Sequence, residues 1–268
     1  MKRFDPILVV GFGTMAAAIV DGWLAAGLPS ESVTAYNPRP KDAPAGVTLV
    51  AEFPRGSFQA ILLAVKPQKL DEVALLVEPL AGSGTVLISV LAGVELETLA
   101  GHFPRAGGIV RLMPNLAAAL GKSPVALAGS GIEPEARDKI TAMADALGGA
   151  FWIDEKDFEL VTALAGSGPA FVYRFIDALA GAAAALGLDT AQAGPLALQT
   201  VEGAAALAAV SPHSPRELAR RVASPGGMTQ KGLDVLDADG ALAALLRDTL
   251  RAARDRGLEM GRAARGKA

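Results

Sequence analysis

The sequence predicts an α/β fold, in which an N-terminal doubly wound sheet is followed by an all-α C-terminal domain. Up to residue 154, short Val/Ile/Leu runs alternate with helical or turn segments, as expected of a parallel sheet covered on both faces. After the polar stretch 154–157, only helical periodicity remains. A chain of 268 residues is also long for one compact core. We therefore predict a dinucleotide-binding domain at 1–154 and a helical domain at 155–268.

The elements follow from apolar runs and their spacing. Strands are predicted at 7–10, 33–36, 47–50, 60–65, 85–90, 108–113, 124–128 and 150–153. Helices are predicted after Gly13 and at 68–79, 134–147, 158–164, 169–186, 191–209, 215–222 and 241–264. Between them, Gly166 and Gly168 are expected to break a helix, and Pro169 to occupy the first position of the next one.

Composition excludes several classes of function. The 25 basic and 28 acidic residues give a net charge of −3 and no basic field, so no nucleic-acid partner is expected. With no cysteine and only two histidines, His102 and His213, we expect no metal site and no Ser-His-Asp triad. The longest apolar stretch recognised, 178–188, is too short to cross a bilayer, so we expect a cytoplasmic protein without a membrane partner.

The first strand leads into a glycine-rich turn and a helix. Gly11 permits a sharp turn, Gly13 leaves room for a pyrophosphate, and the helix start offers unpaired N–H groups to that anion. Ala16 stands at the third position of the G-x-G-x-x-[GA] pattern, where the requirement is close packing of helix on strand. This pattern is typical of a Rossmann-like domain that binds a dinucleotide. Two alternatives remain open: a simple core turn, or a signal peptide formed by Lys2, Arg3 and the apolar run.

The end of the second strand determines which nicotinamide cofactor is preferred. No acidic residue follows Tyr36 to bind a ribose 2′-hydroxyl. Asn37 can hydrogen-bond the ribose or phosphate, and Arg39, with Lys41 as a further candidate, can pair with a 2′-phosphate. The sequence therefore favours NADPH, with NADH still possible.

Further candidate residues lie at later strand ends and in one helical loop. The carboxyl ends of parallel strands form the ligand crevice of such sheets. Three segments follow predicted strands there: 64–68, 89–93 and 113–115. In the helical domain, residues 223–229 form a Gly-Gly turn at a helix start, whose successive N–H groups suit a carboxylate.

These motifs together resemble the pyrroline-5-carboxylate reductase family. The matching segments, in family order, are GFGTMAAAI (11–19), AVKPQ (64–68), MPN (113–115), LAGSGPAFVYRFIDAL (164–179) and VASPGGMTQKGLDVL (222–236). The resemblance implies an enzyme of proline biosynthesis that reduces a cyclic imine with NAD(P)H. It also implies a homodimer, or a larger oligomer of dimers, in which each active site is built from two chains.

The resemblance assigns roles to individual residues of this chain. The implied cofactor-binding residues are Gly11, Phe12, Gly13, Thr14, Met15, Ala64, Val65, Lys66, Pro67, Ala92, Gly93 and Asn115, besides Asn37 and Arg39. The implied substrate-binding residues are Ser224, Gly226, Gly227, Met228 and Thr229, of which Ser224 and Thr229 are the candidate catalytic residues. Ala16, Leu116-Ala117, Met228 and Gln230 depart from the residues that are usual in the family.

The chemistry of the predicted reaction agrees with the residues present. An alcohol dehydrogenase needs a general base, but the helix after Gly168 carries Arg174 and no lysine, which disfavours a β-hydroxyacid dehydrogenase. A cyclic imine is itself basic and needs mainly positioning, with Thr229 as an orienter of its nitrogen. The remaining alternatives are a reductase of another cyclic imino acid and a catalytically silent dinucleotide-binding protein.

Overall fold

The computed structural model describes the backbone of residues 2–265 and the side chains of residues 2–262. Met1 and residues 266–268, which belong to the predicted domains, lie outside the described part. The N-terminal part forms one eight-stranded sheet in the order β3-β2-β1-β4-β5-β6-β7-β8. The strands are β1 Ile7–Val10, β2 Val33–Tyr36, β3 Thr48–Val50, β4 Ala60–Leu63, β5 Val86–Ser89, β6 Gly108–Met113, β7 Ser123–Ser130 and β8 Gly148–Trp152.

The sheet is doubly wound, which confirms the predicted α/β class. The strand order runs from β1 through β2 to β3 on one side and from β4 through β6 on the other, so it reverses between β1 and β4. Ligands of such sheets bind at this switch point, beyond the carboxyl ends of the strands. The glycine turn that follows Val10 and the turn that follows Leu63 therefore lie where a ligand is expected.

Both faces of the sheet are buried, and this explains why the strands were visible in the sequence. Alternate residues of β1 belong to different cores, with Ile7 and Val9 on one face and Leu8 and Val10 on the other. All four side chains are fully buried. A strand that packs on both sides needs apolar residues at every position, so it appears as a continuous apolar run.

One strand pairing departs from the predicted parallel sheet. β6 and β7 are antiparallel, with Leu112 opposite Leu127. They are joined by a short 3-10 helix, Leu116–Leu120, instead of an α-helical crossover. A parallel connection needs a dozen or more residues, so the short link between Met113 and Ser123 requires the chain to reverse.

The helices divide between two compact units of the chain. Among the described residues, 2–167 and 252–265 form the first unit, and Gly168–Arg251 forms the second. The helices are α1 Thr14–Ala25, α2 Leu70–Val77, α3 Leu96–His102, α4 Pro134–Asp145, α5 Phe158–Val161, α6 Gly168–Ala185, α7 Thr190–Val210, α8 Pro215–Val222, α9 Met228–Asp237 and α10 Ala241–Arg265. The domain boundary proposed at residue 154 stays a prediction, because compactness within one chain does not measure independent folding.

The predicted helix break at Gly166 is instead a π-helical segment, Thr162–Gly166. The Ser167 N–H donates to the Thr162 carbonyl at 3.0 Å, and Ser167 keeps helical dihedral angles. A π-turn satisfies the backbone with i→i+5 hydrogen bonds, so the small residues of this segment widen the last turn before Ser167. The following helix begins at Gly168, one residue before the predicted Pro169.

The second unit buries few of its own apolar side chains within one chain. Helices α6, α8 and α9 contain no buried residue, and α7 buries only Ala193 and Ala197. By length and composition α7 is also apolar enough to span a bilayer, which the sequence reading did not recognise. Large exposed apolar side chains include Tyr173, Phe175, Leu186, Leu207, Val210 and Leu245.

Candidate functional site

Gly11 forms the turn that joins β1 to α1, and its geometry requires glycine. Its φ is +90°, a conformation that L side chains rarely adopt. Its N–H donates to the Tyr36 carbonyl at 2.9 Å. A Cβ at Gly11 would lie 2.8 Å from Val65 Cγ1 and 2.9 Å from the Ala64 carbonyl oxygen. The β1 and β4 turns are therefore in direct contact at the switch point.

Gly13 and the start of α1 form an open backbone anion site. A Cβ at Gly13 would meet no atom within 4 Å, so this side of the turn is free for a ligand. Gly13 is the N-cap of α1, no side chain caps the helix, and its first turn, which contains Thr14 and Met15, carries no acidic residue. The N–H groups of this first turn have no partner within the helix and attract an anion. Ala16 is fully buried, consistent with a packing role at the third glycine position.

Phe12 is the only residue of this turn whose side chain is buried in the sheet core. Its N–H donates to Asn37 Oδ1 at 3.2 Å, while Asn37 Nδ2 donates to the Arg39 carbonyl at 2.7 Å. The sequence predicted that Asn37 would bind the cofactor directly. The structure adds a bracing role, because the Asn37 amide links the pyrophosphate turn to the loop that carries Arg39.

Arg39 is exposed, and among the side chains that the structure describes, residues 2–262, its guanidinium makes no ion pair. An exposed arginine at the end of β2 can pair bidentately with a phosphate. Lys66 is also exposed and starts the 3-10 turn Pro67–Lys69, which follows β4. These side chains place positive charge beside the carboxyl ends of β2 and β4.

Ala92 and Gly93 lie after β5, and Gly93 contacts the C-terminal part of α10. Gly93 has a φ of +73°, and a Cβ there would lie 3.0 Å from Met260 Cβ and 3.1 Å from the Gly261 nitrogen. Backbone packs against backbone here, which glycine at both 93 and 261 permits. The cofactor role predicted for Ala92 and Gly93 is untested, but α10 fixes the position of their loop.

Asn115 is buried, and its side-chain amide is hydrogen-bonded to backbone groups of the protein. Its Oδ1 accepts from the Ala117 N–H at 2.9 Å, and its Nδ2 donates to the Ala165 carbonyl at 2.9 Å. Its own N–H donates to Ser123 Oγ at 2.8 Å. The amide therefore joins the end of β6 to the π-helical segment, a structural role that the motif alone did not indicate.

Pro67 and Ala92 also line a cleft of about 200 Å³ in the first unit. His102, interpreted from the sequence as a bystander, faces this cleft, and its Nε2 lies 3.3 Å from Asp71 Oδ1. Arg256 and Glu259 of α10, which pair with each other at 2.8 Å, also line this cleft. No sequence signal places His102 here, because α3 itself was not predicted.

Sequence reasoning also missed a buried arginine. Arg111 lies in the middle of β6 and is 2% exposed. Its Nη2 donates to Glu159 Oε1 at 2.7 Å, its Nη1 donates to Glu155 Oε1 at 3.3 Å, and its guanidinium lies 3.8 Å from the Phe158 ring centre. The signal was a lone charge inside the apolar strand GIVRLM, which must be paired if it is buried.

In the second unit, the loop before α9 forms another backbone anion site. Gly226 has a φ of +73°, and the Gly227 N–H donates to the Ser224 carbonyl at 2.9 Å. Gly227 is the N-cap of α9, and a Cβ there would overlap the Ser224 hydroxyl. Met228 and Thr229 follow as the first residues of the helix and are exposed, so their N–H groups are available to a carboxylate.

Helix α8 leads directly into this loop and is fixed by its own charges. The Ser214 hydroxyl caps the helix by accepting from the Glu217 N–H at 3.3 Å. Hydrogen bonding to Arg220, followed by the charge of Arg220, holds the pKa of the Glu217 carboxyl below its usual value, and Arg221 adds to this. A lowered pKa means that the folded protein favours the ionised Glu217 carboxylate. The contribution of the Glu217–Arg220 pair to folding stability is therefore present at neutral pH, and it is lost as the pH falls through the pKa of Glu217.

Known proteins match this chain over most of its length. The pyrroline-5-carboxylate reductase of Methanosarcina acetivorans is 35% identical over 262 residues, covering 94% of this chain and 97% of its own. That of Pisum sativum is 35% identical and covers 91% of this chain and 92% of its own.

The chain belongs to the pyrroline-5-carboxylate reductase family.

Two family models match this reductase, one in its N-terminal part and one in its helical part. The model for pyrroline-5-carboxylate reductase dimerisation matches residues 155–260, and the model for NADP oxidoreductases, coenzyme F420-dependent, matches residues 6–93. A dimerisation model over the helical residues indicates that this reductase family member is a homo-oligomer. It also explains why helices α6 to α9 expose so much apolar surface within one chain.

Solved structures of family members have the same fold. A pyrroline-5-carboxylate reductase from Coxiella burnetii matches with a TM-score of 0.88 at 29% identity, covering 96% of this chain and 98% of its own. The Plasmodium falciparum reductase, solved with NADP bound, matches with a TM-score of 0.82 at 25% identity, covering 97% and 99%. The roles of single site residues in this reductase stay predictions.

Proposed function

We propose that this protein reduces the cyclic imine 1-pyrroline-5-carboxylate to L-proline with NADPH, the last step of proline biosynthesis. The observation that carries the proposal is that a family member matched over 94% of its chain keeps two backbone anion sites, one at Gly13 and one at Gly227. One suits the pyrophosphate of a dinucleotide, and the other suits the carboxylate of a small ring acid. We place the protein in the cytoplasm.

The residues present fit a bound NADPH. The open face of Gly13 and the free N–H groups of α1 would hold the pyrophosphate, and Arg39 would pair with the 2′-phosphate. When bound, the reduced nicotinamide supplies the hydride that reduces the imine carbon. Ala92 and Gly93 are proposed to lie beside the nicotinamide, where their loop is fixed by α10.

The substrate needs to be held and oriented more than it needs a strong acid. The N–H groups of the loop from Ser224 to Thr229 are proposed to bind the substrate carboxylate, with Met228 beside the ring. The imine nitrogen is basic and is readily protonated by solvent. The Thr229 hydroxyl orients that nitrogen, which favours approach of the hydride to one carbon in one geometry.

The test of the proposed function is NADPH consumption with 1-pyrroline-5-carboxylate, run beside the six-membered cyclic analogue. We expect turnover of the five-membered ring with formation of proline. Preference for the six-membered ring would support the alternative of another cyclic imino acid reductase. Binding of NADPH without consumption by either ring would support a silent dinucleotide-binding protein.

Replacing Arg39 with alanine is expected to change cofactor choice. Charge-assisted hydrogen bonds contribute about 1.5–3 kcal/mol, so NADPH affinity should fall about tenfold or more, while NADH affinity stays unchanged. Titration of NADPH and of NADH into wild type, Arg39→Ala and Lys41→Ala measures the ratio of the two affinities in each protein. An unchanged NADPH/NADH ratio in Arg39→Ala would remove Arg39 from the cofactor site.

We also propose a homodimer, alone or as the unit of a larger oligomer, with active sites built from two chains. The exposed apolar side chains of α6 and α7 need a partner surface, since a monomer would leave them in water. Light scattering at decreasing protein concentration should give a dimer or a multiple of it. A stable monomer with full activity would contradict the shared site.

A further inference from the structure

The loop after β5 is held in place at both ends. At one end Gly93 packs against Met260 and Gly261 of α10. At the other end the Leu96 N–H, the first of α3, donates to Glu155 Oε1 at 2.7 Å. Glu155 lies 59 residues further along the chain, in the turn before α5, so this hydrogen bond is a long-range tie.

Glu155 is held in turn by the buried Arg111. The same Oε1 atom accepts from Arg111 Nη1 at 3.3 Å, while Arg111 Nη2 donates to Glu159 Oε1 at 2.7 Å. The Glu159 side chain is 11% exposed and that of Glu155 is 33% exposed. Arg111 therefore has a buried partner that neutralises it and a half-exposed partner that connects it to the loop.

The same cluster contacts the helix that packs on Gly93. A Cβ at Gly257 of α10 would overlap Glu159 Oε2, so the helix approaches the carboxylate as closely as glycine allows. One helical turn later, Met260 and Gly261 contact Gly93. The loop that contains Ala92 and Gly93 is fixed by α10 and by the start of α3. The cluster of Arg111, Glu155 and Glu159 contacts both of these helices.

We propose that Glu155, oriented by Arg111, is a positioning residue for cofactor binding, because its bond to the Leu96 N–H sets the place of Ala92 and Gly93. This inference rests on the proposed function, in which that loop lies beside the nicotinamide. Glu155 itself does not touch the cofactor. Its effect on cofactor binding is exerted through the hydrogen bond to the Leu96 N–H. The length of the side chain at residue 155 should therefore affect NADPH binding more than its charge does.

Two substitutions separate reach from charge. Glu155→Asp keeps the charge but draws the carboxylate back by one methylene, so the bond to Leu96 is lost. Glu155→Gln keeps the reach, and its amide oxygen can still accept from both the Leu96 N–H and Arg111. Asp157→Ala is the matched control, since it removes a carboxylate from the same turn that makes no capping bond to α5.

The experiment titrates NADPH into each variant and follows nicotinamide fluorescence, well below the melting temperature. Loss of one hydrogen bond of about 0.5–1.5 kcal/mol should raise the Kd for NADPH about two- to thirteenfold in Glu155→Asp. Glu155→Gln and Asp157→Ala should bind as wild type does. At saturating NADPH, the KM for the imine should change less than twofold, since Glu155 is proposed to act through the loop beside the cofactor and not through the substrate-binding loop.

Several outcomes would overturn the proposal. A Kd in Glu155→Asp equal to that of wild type would do so, as would weaker binding in Glu155→Gln than in Glu155→Asp, which would indicate a charge effect. A lowered melting temperature with unchanged Kd would reduce Glu155 to a purely structural role. Wild-type protein that binds NADPH but does not reduce the imine would overturn the proposed function, while the Kd comparison would still test the loop.

Discussion

Replacing Gly11 with alanine is expected to lower the free energy of unfolding by about 2–5 kcal/mol and to abolish measurable NADPH binding. The left-handed backbone costs a non-glycine residue about 1–2 kcal/mol, and overpacking adds about 1–3 kcal/mol. The overpacking follows because the new Cβ would press on Val65 and on the Ala64 carbonyl. Chemical denaturation and fluorescence titration measure the two effects.

Gly13→Ala is the matched control two residues later. Its backbone is in the extended region, which alanine adopts freely, and its Cβ would meet nothing within 4 Å. We therefore expect unfolding like that of wild type, with NADPH affinity still reduced because the methyl occupies the open face of the turn. Equal stability of the Gly11 and Gly13 variants would contradict the close contact of the two turns at the switch point.

Replacing Thr229 with alanine is expected to lower kcat/KM for 1-pyrroline-5-carboxylate by about 10²-fold, a typical cost of misplacing a reacting group. Thr229 is exposed on the first turn of α9, and its hydroxyl has no hydrogen-bond partner among residues 2–262, so the substitution removes no hydrogen bond within that part of the chain. Stability and NADPH affinity should therefore stay unchanged.

Thr229→Ser keeps the hydroxyl and should retain most of the activity. Thr249→Ala serves as a second control, because that hydroxyl bonds only to the Leu245 carbonyl of its own helix. Steady-state kinetics on purified variants provide the measurement. If Thr229→Ala kept its kcat/KM, the orienting role of this hydroxyl would be wrong.

The strands of the sheet could be predicted because burial on both faces leaves little freedom in composition. β1, β2 and β6 begin and end at the predicted residues, and the others differ by one or two residues at an end. Helix α3 was missed, since its seven residues are too few to show a helical period. The direction of β7 was missed as well, because an apolar run does not encode strand polarity.

The sequence indicated residues whose role in the candidate site depends on backbone conformation. Gly11 and Gly226 have positive φ angles that only glycine adopts easily, so their conformational role is visible in the sequence. Side chains that bind across long sequence separations were not. Asn115 bonds to Ala165, and Arg111 to Glu155 and Glu159, partners that lie 44 to 50 residues away.

The sequence by itself determined the doubly wound sheet, the helical remainder and the two glycine turns, because local periodicity and backbone freedom are properties of short segments. Only the tertiary structure decided that Asn37 braces the pyrophosphate turn, that β7 runs antiparallel to β6, and that Arg111 is neutralised beneath the β5 loop. Those features depend on which distant groups satisfy a buried charge or hydrogen bond. These partners are brought together only when distant segments pack in the folded protein, so no single segment of the sequence identifies them.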